Sequence, residues 1–138
     1  MSGKRPLQGS IVAYPYLWAS QHDHGEHAGR KDRPVCLLVA VRVQDVHHLM
    51  LLAISSQPPA PDQIALEIPD TERQRGGLTR YPRAWIVISE YNYDIAERSF
   101  YYNPNVAPLG RFSTPYLRVI AAAFRANVKT ASRVDRTI

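Results

Sequence analysis

The chain has 138 residues, 45% hydrophobic and 21% charged, which fits one domain over residues 1–138 that can bury ~70% of its unfolded surface without a disulfide or structural metal. Fourteen Arg and three Lys oppose 12 acidic side chains for a net charge of +5, a balance that favours nucleic acid or an acidic protein as partner. The single Cys36 excludes an intrachain disulfide and a Cys-rich zinc site, no run of ~18 apolar residues offers a membrane span, and the opening residues lack the apolar stretch of a signal peptide, so a cytoplasmic protein is expected.

Residues 11–14, after Gly9, read as a short opening strand that Pro15 limits. Residues 19–32 are polar, hold two glycines and have no apolar periodicity. They read as a long loop, the kind that is usually functional or disordered. Residues 34–43 are the most apolar run. Their Val content and length predict a central strand buried on both faces. Residues 47–54 form a second apolar run, and Gln44-Asp45-Val46 links the two as an antiparallel hairpin. Ser55-Ser56-Gln57-Pro58-Pro59 ends that strand.

Residues 63–68 alternate polar and apolar and predict a half-buried strand. Residues 70–77 read as a charged turn or single helical turn, and residues 84–93 as another strand beginning with Trp85 and Ile86. Residues 103–110 carry two prolines and a glycine and predict a loop. Ser113 or Thr114 is a good N-cap and Pro115 suits the first helical position. Leu117, Ile120, Ala121, Phe124 and Val128 then recur at helical spacing, which predicts a helix over 115–128 and a frayed tail. Five or six short strands followed by one helix give a mainly β fold with a C-terminal helix: a small barrel or strongly bent sheet with the helix packed against it.

The order of motifs resembles the MazF/PemK family of toxin–antitoxin toxins. Gly9-Ser10-Ile11-Val12 is similar to the family's first strand. Glu26-His27-Ala28-Gly29, followed by Arg33-Pro34-Val35, is similar to its acidic-Gln-x-Gly-x-Arg-Pro segment with two extra residues before the Arg. Ala53-Ile54-Ser55-Ser56-Gln57 is similar to its strand ending in Thr-Ser or Thr-Thr. Gly77 through Pro82-Arg83 to Ile86 is similar to its Gly-x-x-x-x-Asp-Gln-Pro-Arg-x-Ile strand. The likeness spans roughly residues 9–128. It implies an SH3-like small β-barrel of the CcdB/MazF/PemK type, a homodimer, an acidic antitoxin as partner, and metal-independent cleavage of single-stranded RNA with no cofactor.

Carried onto this chain, the resemblance makes Arg33 the phosphate-stabilising catalytic Arg, Ser55 the active-site hydroxyl with Ser56 and Gln57 beside it, and Arg83 an RNA contact. The hairpin supports the pairing, because antiparallel strands bring Arg33 and Ser55 to the same end. An Arg supplies charge and two directed donors to phosphoryl oxygens. The plain alternatives are a surface Arg before a proline and a Ser that forms a turn. The chain departs from the family where Arg80-Tyr81 replaces Asp-Gln. In some members that Asp is a general base, a role closed to Arg80 because guanidinium stays protonated. Glu26, with His24 or His27, is then the nearest substitute in sequence, and Arg80 becomes a phosphate contact.

His22, Asp23, His24, Glu26 and His27 form a possible ligand cluster, but a Gly-containing loop lacks the rigid support a zinc site needs, and no metal is expected. Tyr91 and Tyr93 alternate on one strand face, with Tyr101 and Tyr102 soon after, suited either to base stacking or to a barrel wall or dimer surface. Cys36 sits in the most apolar run and reads as core. The expectation is an endoribonuclease toxin, an mRNA interferase. The alternatives are a CcdB-like toxin that binds gyrase, which the missing acid at Arg80 leaves open although the Arg33-Pro34 and Ser55 arrangement favours the ribonuclease, and an inactive relative that serves as a binding module.

Overall fold

The computed structural model describes residues 6–23 and 31–137. Its frame is the hairpin of β2 (Arg33–Val43) and β3 (Val46–Ser55), paired from Val35↔Ala53 to Val43↔Val46. Gln44 and Asp45 join the strands with φ of 52° and 68°, the pair of left-handed residues whose twist suits a two-residue hairpin. Val46 thus belongs to the strand.

β1 (Ser10–Tyr14) pairs antiparallel with β2, and β7 (Gly110–Arg111) lies on the outer edge of β1. The other edge of β3 is shared. Its end carries β5 (Trp85–Val87), which in turn carries β4 (Ala65–Glu67), while its first half carries β6 (Glu90–Ile95). β8 (Ser132–Asp135) runs parallel to β6. The path β4-β5-β3-β2-β1-β7 does not return on itself. The eight strands therefore form an open, largely antiparallel sheet rather than a closed barrel. The edge strands are short, three residues in β4 and two in β7, and do not pair with each other.

Three local expectations change. Within the stretch expected to be loop, Ala19–Asp23 forms α1. Its start is held by Gln21, whose side chain accepts from the Trp18 N–H (3.2 Å), and by Glu90, which accepts from the Ala19 N–H (2.9 Å); the former is one half of a capping box. The single strand expected over 84–93 divides at Ile88–Ser89, where the Ile88 N–H turns to the Ile64 carbonyl and the Ser89 carbonyl accepts from Ser132. The tail expected to fray is instead β8, held because Arg136 is buried and bonded to the body of the protein.

The charged turn is α2 (Asp70–Arg75), and the last helix is α3 (Thr114–Asn127), whose N-cap Ser113 accepts from the Tyr116 N–H. Tyr116, Ile120 and Phe124 are its buried row, whereas Val128 is exposed. Glu72 of α2 docks α3: its carboxylate accepts from the Ser113 N–H (2.8 Å) and hydroxyl (2.6 Å).

Alternation on the central strands feeds two cores. Ile11, Cys36, Leu52 and Ile54 face α3, while Val12, Tyr14, Val35, Leu37, Leu49 and Leu51 face the opposite side under Tyr16 and Tyr102. The ladder register shifts between Leu37 and Val39, so that Leu38 and Val39 both face the α3 side. This bulge bends β2. Each fully buried Leu or Ile contributes roughly 1.5–3 kcal/mol of transfer free energy. Cys36 is fully buried, and burial pushes its thiol up to about 12, so it is core as expected.

The second core is sealed by polar groups. Glu90, Asn92 and Asp94 occupy alternate buried positions of β6. Asn92 accepts from the Leu17 N–H (2.9 Å), donates to the Leu17 carbonyl (2.8 Å), and accepts from Arg136 (3.1 Å). Asp94 accepts from the Tyr14 hydroxyl (2.7 Å) and from Ser99. Burial, the Asp94 charge and that hydrogen bond hold the Tyr14 phenol well above its usual value. Asn92→Ala removes the partners of two buried groups, the Leu17 N–H and carbonyl, at ~1–3 kcal/mol each before relaxation, and one of the two acceptors of Arg136 Nη1. We expect it to lower stability by about 3 kcal/mol, read as a denaturant midpoint.

On the far edge, Glu97 grips the start of β3. Its carboxylate accepts from the His47 N–H (2.7 Å), and His47 Nδ1 lies 2.6 Å from its other oxygen. Burial alone raises the Glu97 carboxyl, but the bonds to His47 hold it, on balance, below its ordinary value. A depressed carboxyl stabilises the fold above the unfolded value and loses that contribution as pH falls through the folded one. Unfolding midpoints measured across acidic pH are expected to fall less steeply for Glu97→Gln than for the wild-type chain.

Candidate functional site

β2 begins where β1 ends. Tyr14 pairs with Arg33 in that ladder. On the other side, Ser55 lies two residues past Ala53, the partner of Val35. Continuing the register sets Arg33 across from Ser55, so the topology brings the two to one end of the hairpin.

Two adjoining cavities of about 280 and 250 Å³ open at this end. Both are lined by Asp32, Arg33, Pro34, Arg80 and Tyr81. Lys31, Ile54 and Ser56 complete the first, and Ala13, Gly77, Leu78 and Leu109 the second.

Arg33 is half-buried, with its guanidinium carbon 5.0 Å from the centre of the Trp18 ring, a cation–π distance. Trp18 packs edge-on against Tyr16 at 5.1 Å. Burial lowers the Arg33 pKa from its ordinary value, with Tyr81 and Tyr16 opposing, and the group remains a cation. Its Nε is buried without a hydrogen-bond partner. Among the described residues no carboxylate pairs with it. A partly desolvated, unpaired cation at a cavity wall favours an anion there.

Arg80 is exposed. Its guanidinium stacks 5.1 Å from the Tyr81 ring centre and donates to the Tyr81 hydroxyl (2.9 Å). Tyr81 is positioned from α2, whose Arg73 donates to the Tyr81 carbonyl (2.7 Å). Gly77 closes α2 with φ of 72°, and a Cβ there would collide with the Leu109 carbonyl oxygen. Glycine therefore serves twice, allowing the left-handed turn and the contact between the two loops that wall the cleft.

The other expected residues divide. Ser56 lines the cleft. The Ser55 hydroxyl is engaged in a turn, accepting from the Gln57 N–H (3.0 Å) and donating to the Gln57 carbonyl (3.1 Å), and Gln57 is exposed. Arg83 lines neither cavity. It makes two bonds to Glu67, at 2.9 and 2.8 Å, with its guanidinium 4.8 Å from the Trp85 ring centre. His24, Glu26 and His27 lie outside the described residues, and with them most of the histidine cluster. Among the described residues no group of three His, Cys, Asp or Glu is arranged to hold a metal, and no helix is long and apolar enough to cross a membrane.

The strand tyrosines serve the sheet. Tyr91 packs edge-on against Phe124 at 5.4 Å, and the Tyr93 hydroxyl lies 2.6 Å from His48 Nδ1. Trp18, Lys31, Asp32 and Tyr81 are the lining and stacking residues that the motifs did not single out. Tyr81 had a signal, since it stands where the resembled family has Gln. Lys31 and Asp32 directly precede Arg33. Trp18 had none, because only the return of the 15–19 segment over β6 brings it to Arg33.

No family model matches the chain, and no curated protein or solved structure shows a significant match to it.

Proposed function

We propose that the chain is a MazF/PemK-like endoribonuclease that cleaves single-stranded RNA, with a small-barrel ancestry implied by the motif order despite the open sheet. The observation that carries this reading is Arg33: half-buried, without a carboxylate partner among the described residues, and facing a cleft that Arg80 and Lys31 also line. Cleavage by the substrate's own 2′-OH needs alignment, proton transfer and stabilisation of charge on the phosphoryl oxygens. Arg33 supplies two directed donors to those oxygens, and Ser56 offers a hydroxyl on the same wall. Ser55 contributes a second hydroxyl if its turn opens on binding. Tyr81 and Trp18 are aromatic faces beside the cations, the combination that single strands use. In the same reading the net charge of +5 suits an acidic antitoxin, and the working form is a homodimer.

A second reading has one observation in its favour. The Ser55 hydroxyl is held in its turn and Arg80 stands at the family's acid, which together describe an RNA-binding module without cleavage. Incubation with long RNA in EDTA, followed by primer extension, separates the two. We expect discrete cuts with 2′,3′-cyclic phosphate and 5′-OH ends, and a loss of ~10²-fold or more in single-turnover rate for Arg33→Ala, the scale of removing one oxyanion donor. Activity abolished by EDTA and restored by zinc contradicts the metal-independent reaction.

Arg80 has a separate signature. If it contacts a phosphate, Arg80→Ala weakens RNA affinity and reduces the slope of log K against log salt by about one unit. Binding titrations across a salt series measure both.

A further inference from the structure

We infer that Asp32 is the proton acceptor of this cleft, a role resting on the ribonuclease reading above. The chemistry needs an acceptor for the 2′-OH proton, and the residue at the resembled family's acid position, Arg80, cannot accept one. Tyr81 is no better placed, because its hydroxyl oxygen already receives a bond from Arg80.

Asp32 has the position. It lines both site cavities and a third of about 220 Å³ bounded by Val12, Tyr101, Tyr102 and Asn103. Among the described residues it is the one acidic residue lining any of the three, and the one residue that lines all of them. Its neighbour Arg33 is fixed in the ladder by Tyr14, and consecutive Cα atoms lie ~3.8 Å apart. Arg33 and Asp32 line the same two cavities, which is what places phosphate contact and proton acceptor at one site.

Its pairing state fits the role. Lys31, Arg33 and Arg80 line the same cleft, yet among the described residues Asp32 enters no ion pair. Its carboxylate is therefore not engaged by any of these cations. Asp32 is also exposed, open to a substrate hydroxyl.

The step balances without a cofactor. O2′ forms a bond to phosphorus as the P–O5′ bond breaks, and the 2′-OH proton passes to the Asp32 carboxylate. O5′ leaves with a proton drawn from water, and Asp32 later returns its own to solvent. Arg33 holds the phosphoryl oxygens throughout.

The test uses the full chain and an RNA oligonucleotide spanning a site mapped by primer extension, with the same oligonucleotide carrying a 2′-deoxy residue at the scissile position as the binding probe. Single-turnover rates are compared for the wild type, Asp32→Asn, Asp32→Ala, Asp32→Glu and Glu26→Gln, with thermal melts to confirm folding. We expect Asp32→Asn to slow cleavage by ~10²-fold or more, within the range of general-base catalysis, with little change in affinity for the deoxy probe. Asp32→Glu should retain part of the rate, and added formate should restore part of it to Asp32→Ala, which a structural role does not allow. A wild-type chain that cleaves while Asp32→Asn matches its rate overturns the assignment to Asp32 and leaves the ribonuclease reading intact. The assignment falls equally if Asp32→Ala ignores formate while Glu26→Gln carries the larger loss. A folded wild-type chain that cuts no RNA overturns both.

Discussion

Every side chain of β2 from Val35 to Leu38 is buried, alternating between two cores until the bulge at Leu38. A strand covered on both faces has no interior position for polar chemistry, because a charge there would carry a desolvation cost of several kcal/mol. Polar chemistry is excluded from that stretch of β2, whereas Val41–Val43 beyond it are exposed. At one end of the hairpin the turn of Gln44 and Asp45 is exposed and simply connects. At the other, Arg33 leaves the buried ladder and meets the loops around Gly77 and Leu109, and the cleft forms there.

The cleft depends on packing elsewhere. Arg73 and Gly77 fix Tyr81, and Tyr81 with Arg80 forms the wall opposite Arg33. α2 itself is tied to α3 through Glu72 and Ser113, so the helix at the end of the chain reaches the site through two hydrogen-bonded joints. On the other side Trp18 is set under Arg33 by the 15–19 segment, which Asn92 and Glu90 bind from β6. Arg136, the residue after β8, donates to the Pro15 carbonyl (2.7 Å) and stacks 4.0 Å from the Tyr101 ring centre. The end of the chain is thus part of the support for Trp18.

The same geometry explains why the arginines differ. Arg83 is exposed and satisfied by Glu67, and Arg136 is buried and serves structure. Arg33 is intermediate: its Nε is buried and unpartnered, but the side chain stands at a cavity where a ligand can reach it. Charge count alone does not separate these roles, and a net charge of +5 is shared by all of them.

Residue order was enough for the hairpin, the N-cap of α3 and the burial of Cys36, because these rest on local apolar runs, a capping hydroxyl before Pro115, and a turn of two left-handed residues. It was also enough to bring Arg33 and Ser55 to one end, since antiparallel pairing makes that a matter of counting. Tertiary structure decided the rest. α1 is too short for periodicity and exists through bonds from Gln21 and Glu90. β8 reads as a polar tail until Arg136 finds its partners on distant residues. The sheet stays open because its edge strands, β4 of three residues and β7 of two, do not pair with each other. Asp32 and Tyr81 of the cleft and Trp18 against Arg33 come together from segments separated by up to 63 positions in sequence, and such a meeting depends on packing between elements, which no local pattern encodes.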